Sequence, residues 1–199
     1  MIGEQNKVEE LTREAIKQGA DAEQIIQDSF IAAMGIVGEK FGAGEIYIPE
    51  MLRAARAMKC GMEILKPLLV GNKAHTLAKV VIGTVKGDMH DIGKNLVSMM
   101  LEGSGFEIID LGIDVPVTKF VEAVQQYDPQ FIAMSALLTT TMSQMKMVID
   151  ELQETGLRQS VKVFVGGAPI TQGFADEIRA DGYALNAGQA AELMKRMLN

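Results

Sequence analysis

The sequence predicts an α/β protein in which a helical bundle precedes a doubly wound, five-stranded parallel sheet. Three observations carry this prediction. Apolar residues recur at helical spacing through the first third of the chain. The period then changes to short β-rich runs, and each run is followed by an amphipathic segment of helix length. Parallel strands need long crossovers, so repeated strand then helix means a parallel sheet with helices on both faces.

The elements follow in order. Val8, Leu11, Ala15 and Ile16 mark one helical stripe, and after Gly19 and Asp21 interrupt it, Ile25, Ile26, Phe30, Ala33, Met34 and Val37 mark a second. A glycine-containing bend runs from Phe41 to Ile48. Pro49 suits the first position of a third helix, where its missing N–H costs nothing, and that helix turns Met51, Leu52, Ala55, Met58, Met62 and Leu65 inward. Gly71 to Thr76 is a polar break. Strands follow at Lys79 to Val85, Phe106 to Leu111, Gln130 to Ser135 and Val161 to Val165, with a short fifth near Tyr183 to Leu185 and a last helix over Ala190 to Leu198. The division is therefore 1–72 for the helical domain, 73–78 for a linker and 79–199 for the sheet domain.

Composition narrows the function. A chain of 199 residues with 48% apolar content can bury a real core. Nineteen Lys and Arg against 26 Asp and Glu leave a net charge of −7, which argues against phosphate-rich partners, whether nucleic acid or membrane surface. Cys60 is the only cysteine, so neither an internal disulfide nor a cysteine zinc cage can form, as suits a reducing cytoplasm. The N-terminal stretch is charged rather than signal-like, and no apolar run of about 18 residues could span a bilayer. A cytoplasmic protein is expected.

In a doubly wound sheet the first and third strands lie side by side, and ligands bind beyond their carboxyl ends. That singles out Gly87-Asp88-Met89-His90-Asp91-Ile92-Gly93 after the first strand and the hydroxyl-rich run from Ser135 to Thr141 after the third. Gly166-Gly167 opens a third side. The first loop is not a P-loop: five residues separate Gly87 from Gly93, and Asn95 follows Lys94 where a hydroxyl is needed for magnesium. No G-x-G-x-x-G follows the first strand either. What remains is Asp88-x-His90, in which a carboxylate fixes the tautomer of an imidazole and makes its other nitrogen a better metal ligand. One histidine cannot hold a bare ion, so a metal here must bring its other ligands with it, as in a macrocycle.

Asp88-Met89-His90-Asp91-Ile92-Gly93, Ser135-x-Leu137 and Gly166-Gly167 together resemble the cobalamin-binding domain of methionine synthase and of corrinoid methyltransferase proteins. The segment from Phe41 to Met51 looks like the helical cap that precedes this domain, so the resemblance spans nearly the whole chain. It implies a Rossmann-like cobalamin-binding domain under a cap, and a corrinoid methyl carrier of a three-component methyltransferase system. Because the chain ends after this domain, a free-standing carrier is expected. The cofactor implied is cobalamin, cycling between methylcobalamin and the Co(I) corrinoid, bound base-off with His90 as the lower ligand on cobalt.

The same resemblance makes Asp88 the residue that orients His90, and Thr141 the hydroxyl that completes the proton relay where methionine synthase has serine. Asp91 and Ile92 belong to the matching loop. Gly93, Ser135, Leu137, Thr139, Gly166 and Gly167 fall on positions that line the slot for the nucleotide tail, and Phe41 and Ile48 on those that cover the methyl face. The partners implied are a substrate-specific methyltransferase, an acceptor methyltransferase acting on tetrahydrofolate or a thiol, and a reductive activation protein. Gly42, Gly44 and the break at Gly71 to Thr76 are where the cap would hinge.

Plainer roles compete for several residues. Asp88 could cap a helix start, and Thr139 to Thr141 could be an N-cap cluster. Gly166-Gly167 suits any strand-to-helix turn. Phe41 and Ile48 could be bundle core, the 14 methionines adaptable packing, His75 a solvated linker residue and Cys60 inert core. Two other functions share the motif: an adenosylcobalamin mutase subunit, against which the helical cap argues, and a cobalamin-sensing regulator, which needs an output segment for which there is no spare length.

Overall fold

The computed structural model describes residues 4–69 and 76–198. Its helical part holds α1 (Gln5–Lys17), α2 (Ala22–Ile25), a π-helical turn (Ile26–Ile31), α3 (Ala32–Gly42) and α4 (Ile48–Leu65), which ends in a 3₁₀ turn (Lys66–Leu69). Helix α1 packs along α4 with Thr12 buried and Leu11 51% exposed, so the stripe is rotated from the one expected. Thr12 can lie inside because its Oγ1 donates to the Val8 carbonyl at 2.7 Å, leaving no polar atom unsatisfied. Pro49 is the second residue of α4 rather than the first, still within the turn that needs no donor.

Helix α3 carries the bundle onto the rest of the molecule. A Cβ on Gly103 would stand 2.9 Å from Met34 Cε, and one on Gly188 would stand 2.7 Å from the Gly38 carbonyl oxygen. Met34 and Gly38 are four apart and share a helical face, so α3 is seated where its neighbours lack side chains. Met34, Met51 and Met100 are each buried to within 2% of full burial, consistent with methionine as adaptable filling. Cys60 is half-buried in α4, less enclosed than expected. His75 and the rest of 71–75 lie outside the described residues.

The sheet domain alternates strand and helix: β1 (Lys79–Thr84), α5 (Ile92–Gly103), β2 (Glu107–Asp110), α6 (Val117–Tyr127), β3 (Phe131–Ser135), α7 (Ser143–Glu154), β4 (Lys162–Gly166), α8 (Gln172–Glu177), β5 (Gly182–Tyr183) and α9 (Ala187–Leu198). All pairs are parallel and the order is β2-β1-β3-β4-β5. Ile82 of β1 stands opposite Ala133 of β3, which stands opposite Phe164 of β4. β1 and β3 are buried on both faces, which is why they read as unbroken apolar runs. One face packs Val81 and Ile132 against Phe120 and Met145 from α6 and α7. The other packs Val80, Phe131 and Phe164 under α5, α9 and the bundle, with Phe131 edge-on to Phe106 and to Phe164.

β5 ends two residues earlier than expected, and α9 starts at Ala187 rather than Ala190. Asn186 sets that start by accepting the Gln189 N–H at 2.9 Å on its side-chain oxygen. Among the described residues no helix is long and apolar enough to cross a membrane.

Candidate functional site

The strand order reverses between β1 and β3, and the polar side chains of the site gather beyond their carboxyl ends. After β1 the chain turns at Gly87, whose φ of +82° suits a residue without a side chain, and the turn buries Asp88 completely. Both carboxylate oxygens are taken. Oδ1 accepts the His90 N–H at 3.1 Å and lies 2.7 Å from His90 Nδ1. Oδ2 accepts the N–H groups of Leu137 at 2.7 Å and Leu138 at 3.2 Å, and the Thr141 hydroxyl at 3.0 Å. Burial alone would push this carboxyl up, but donation from Leu137, the His90 ring, the His90 N–H and Leu138 outweighs it and holds the group well below the ordinary carboxylate range.

An ionised carboxylate can only accept, so His90 Nδ1 carries a proton towards Asp88, and in the tautomer this fixes Nε2 is the nitrogen with the lone pair. The ring is half-exposed, with 51% of its side-chain surface open, and Nε2 makes no hydrogen bond among the described residues. Buried Thr84 donates to the His90 carbonyl at 2.8 Å. The loop after β2 adds two ties: Gly87 N–H donates to Asp114 Oδ1 at 2.7 Å, and Asp114 N–H to the Asp88 carbonyl at 3.0 Å.

Asp88 therefore does not cap α5, which follows it. It caps the turn after β3 from across the sheet. Thr141 does not cap a helix either: α7 starts at Ser143, and the Thr141 hydroxyl, within reach of Asp88 Oδ2 and of the Leu138 carbonyl at 2.9 Å, serves the carboxylate and the turn. Asp91 is the N-cap residue of α5 without a side-chain cap bond; its Oδ2 accepts from the Asn95 amide at 3.1 Å.

Beside this loop a cavity of about 370 Å³ opens over β1, β3 and β4 between α5 and α9. Gly93, Ser135, Gly166, Gly167 and Phe41 are on its wall with Ile82, Val97, Phe164 and Met194. A Cβ on Gly93 would meet nothing within 4 Å, as expected of a position left bare beside a slot. Gly167 differs: its φ is +129° and a Cβ would fall 1.9 Å from the Ala136 carbonyl oxygen, so the backbone of the β3 loop, not the slot, excludes a side chain there.

Leu137 and Thr139 are exposed and off the cavity wall. The structure also separates Phe41 from Ile48. Phe41, next to last in α3, which rests on α9, reaches the wall; Ile48 starts α4, is 42% exposed and is absent from the wall.

Several residues escaped the sequence reading. Met89, Ile113, Leu138 and Leu185 join Ile92 and Leu137 as exposed large apolar side chains on four loops and at the start of α5 at this edge of the sheet, and such a concentration marks a surface made to be covered. Their signal was apolar residues within loops. Lys94 and Asn186 also line the cavity. Among the described residues no three His, Cys, Asp or Glu side chains group to hold a metal ion.

The family profiles for the B12 binding domain match this chain twice, over residues 78–194 and, with a second profile of that description, over residues 1–66. The trimethylamine corrinoid protein of Methanosarcina barkeri is 46% identical over 96% of this chain and 89% of its own. Dimethylamine corrinoid protein 1 of Methanosarcina acetivorans is 45% identical over 93% of this chain and 87% of its own. Among solved structures, the methanol:cobalamin methyltransferase complex MtaBC of Methanosarcina barkeri holds a chain that matches with a TM-score of 0.88 at 34% identity, covering 98% of this chain and 75% of that one. A cobalamin-binding protein from Desulfitobacterium hafniense matches with a TM-score of 0.82 at 36% identity, over 97% of this chain and 92% of its own.

Proposed function

This chain belongs to the B12-binding family of corrinoid proteins, and on that premise we propose that it carries a methyl group between two methyltransferases on the cobalt of a bound cobalamin. The observation that carries the reading is the Asp88–His90 pair. It presents Nε2, which makes no hydrogen bond among the described residues, beside an apolar cavity and a rim of exposed apolar side chains. These residues suit a group that is broad, bears a metal with one free position and trails a tail that ends in a flat aromatic base. Bound there, the corrin supplies a cobalt centre that takes a methyl group from one partner and gives it to another.

His90 would hold the cobalt through Nε2. Asp88 keeps the proton on Nδ1 and the ring in place, and with Thr141 it would offer a route by which a proton reaches or leaves the imidazole. Gly93, Ser135 and Gly166 leave room for the tail, and Met89, Ile92, Leu137 and Leu138 form a seat for the macrocycle. Phe41 encloses the site from the bundle side.

Among the described residues no three His, Cys, Asp or Glu side chains group to hold a second metal ion, and the carboxylates around His90 are each engaged, Asp88 by the loop and Thr141, Asp91 by Asn95 and Asp114 by Gly87, which supports activation of a C–N or C–O bond by a partner. The partners are a substrate-specific methyltransferase, an acceptor methyltransferase and a protein that reduces the cobalt when it is oxidised. The relatives named for trimethylamine and dimethylamine make a methylated amine the first donor to test. The test mixes the reduced Co(I) protein with trimethylamine, dimethylamine or methanol, with and without the methyltransferase for that donor, and follows the cobalt spectrum. Methylation only in the presence of the enzyme supports a carrier; rapid methylation by an unactivated donor alone overturns it.

A further inference from the structure

Lys94 is a buried cation that none of this chemistry uses. It sits on the first turn of α5, four residues after His90, and is 3% exposed. Its Nζ lies 2.5 Å from Asp110 Oδ2, at the last residue of β2, and donates to Asn95 Oδ1 at 2.7 Å. Each partner is itself engaged. Asp110 Oδ1 accepts the Gly112 N–H at 2.8 Å, and Asn95 Nδ2 donates to Asp91 Oδ2 at 3.1 Å.

A lysine inside a protein is costly, and an apolar side chain of similar length is often as stable in its place. The benefit must lie in what the ammonium holds. The N-cap residue Asp91 makes no side-chain cap bond, so α5 lacks the usual anchor at its start. That start continues directly from the histidine loop. The loop is tied to β3 through Asp88 and to the β2 loop through Asp114, and both ties act before His90 in the chain or at it. After His90, the chain from Asp91 to Asn95 is fastened to β2 through Lys94.

We propose that Lys94 is a positioning residue for the histidine loop: with Asp110 it clamps the first turn of α5 to the end of β2 and so sets where His90 stands. The consequence for cobalt rests on the reading of His90 as lower ligand, whereas the clamp itself can be measured without cofactor. Asp110 is 41% exposed in its side chain, so removing the lysine leaves a solvated carboxylate rather than a stranded buried charge.

The experiment compares the parent with Lys94→Met and Asp110→Asn. In cofactor-free protein, amide hydrogen exchange of residues 88–95 should rise roughly tenfold in Lys94→Met, the scale of one lost charge-assisted bond, and less in Asp110→Asn, which keeps an acceptor, while β3 and β4 stay unchanged. In protein loaded with cobalamin and reduced to Co(II), the share of cobalt whose electron resonance carries a nitrogen splitting should fall in the same order. A folded Lys94→Met with parental exchange and parental splitting overturns the proposal. If Lys94→Met does not fold, Asp110→Asn decides, and parental behaviour in both readouts overturns it. A parent that shows no nitrogen on cobalt removes the histidine reading instead, and the exchange rates still decide whether Lys94 clamps the loop.

Discussion

The histidine loop and helix α3 both reach the cavity, and different forces hold them there. Around Asp88, five donor atoms converge on one buried carboxylate, so displacing any part of the loop leaves a polar group unsatisfied away from water. Helix α3 is seated by Met34 on Gly103 and by Gly38 on Gly188, contacts without direction. Apolar surfaces that part expose area to water but strand no buried donor. Under the proposed carrier role the loop is the fixed part of the site and α3 the part that separates to let partners in.

The largest expected effect comes from removing the centre of the first network. Asp88→Ala should cost about 3–5 kcal/mol of stability in urea unfolding, since it strands several buried donors at once. The same carboxylate gives a pH test. Its folded pKa lies below its ordinary value of 3.8, so the unfolded chain takes up the proton first; the stability this group contributes is complete above that value and is lost as pH falls beneath it. Asp88→Asn should therefore show a shallower loss of stability below about pH 4 than the parent. Parallel acid profiles would remove Asp88 from this role.

Next comes the seat of α3. Gly188→Ala places a Cβ against the Gly38 carbonyl, which is backbone and cannot swing aside, and should cost about 1–3 kcal/mol. Amide exchange should then rise in α3 and stay unchanged in 85–91. A rise of equal size in the loop would break the contrast between the two regions.

A smaller effect sharpens the cover. Phe41→Ala should speed photolysis of bound methylcobalamin, because a caged methyl radical recombines and an exposed one escapes. Ile48→Ala tests the second residue that the resemblance puts over the methyl face, an exposed side chain at the start of α4, and should speed photolysis too. Equal rates in Phe41→Ala and the parent would make Phe41 ordinary packing. The smallest effect belongs to Thr141: Thr141→Val loses the donor to Asp88 and about 1 kcal/mol, while Thr141→Ser keeps the hydroxyl and loses less.

The sheet was legible because β1 and β3 are buried on both faces and flanked by amphipathic helices, so period and length pointed the same way. His90 and Asp88 were legible because a doubly wound sheet places its site at one known edge. Less legible was anything decided by a contact distant in sequence. The plainer alternative for Asp88 was a cap for the helix beside it, yet its Oδ2 serves residues 49 and 50 positions onward. Leu11 gave way to Thr12 because a threonine can satisfy its hydroxyl within its own helix. Gly167 looked bare for a ligand and is bare for the Ala136 carbonyl. Lys94 was weighed only as part of a nucleotide motif and dismissed with it, because nothing local announces a partner 16 residues away on another strand.

The central claim is that His90 Nε2 is the nitrogen on cobalt, and electron paramagnetic resonance of the Co(II) protein tests it most directly. Parent protein reconstituted with cobalamin should show the cobalt lines split by a single nitrogen, and labelling the histidines with ¹⁵N should change that splitting from triplet to doublet. His90→Ala should still take up cobalamin into the cavity but lose the histidine splitting. A labelled parent whose splitting does not change, or a His90→Ala protein that keeps it, would contradict the account.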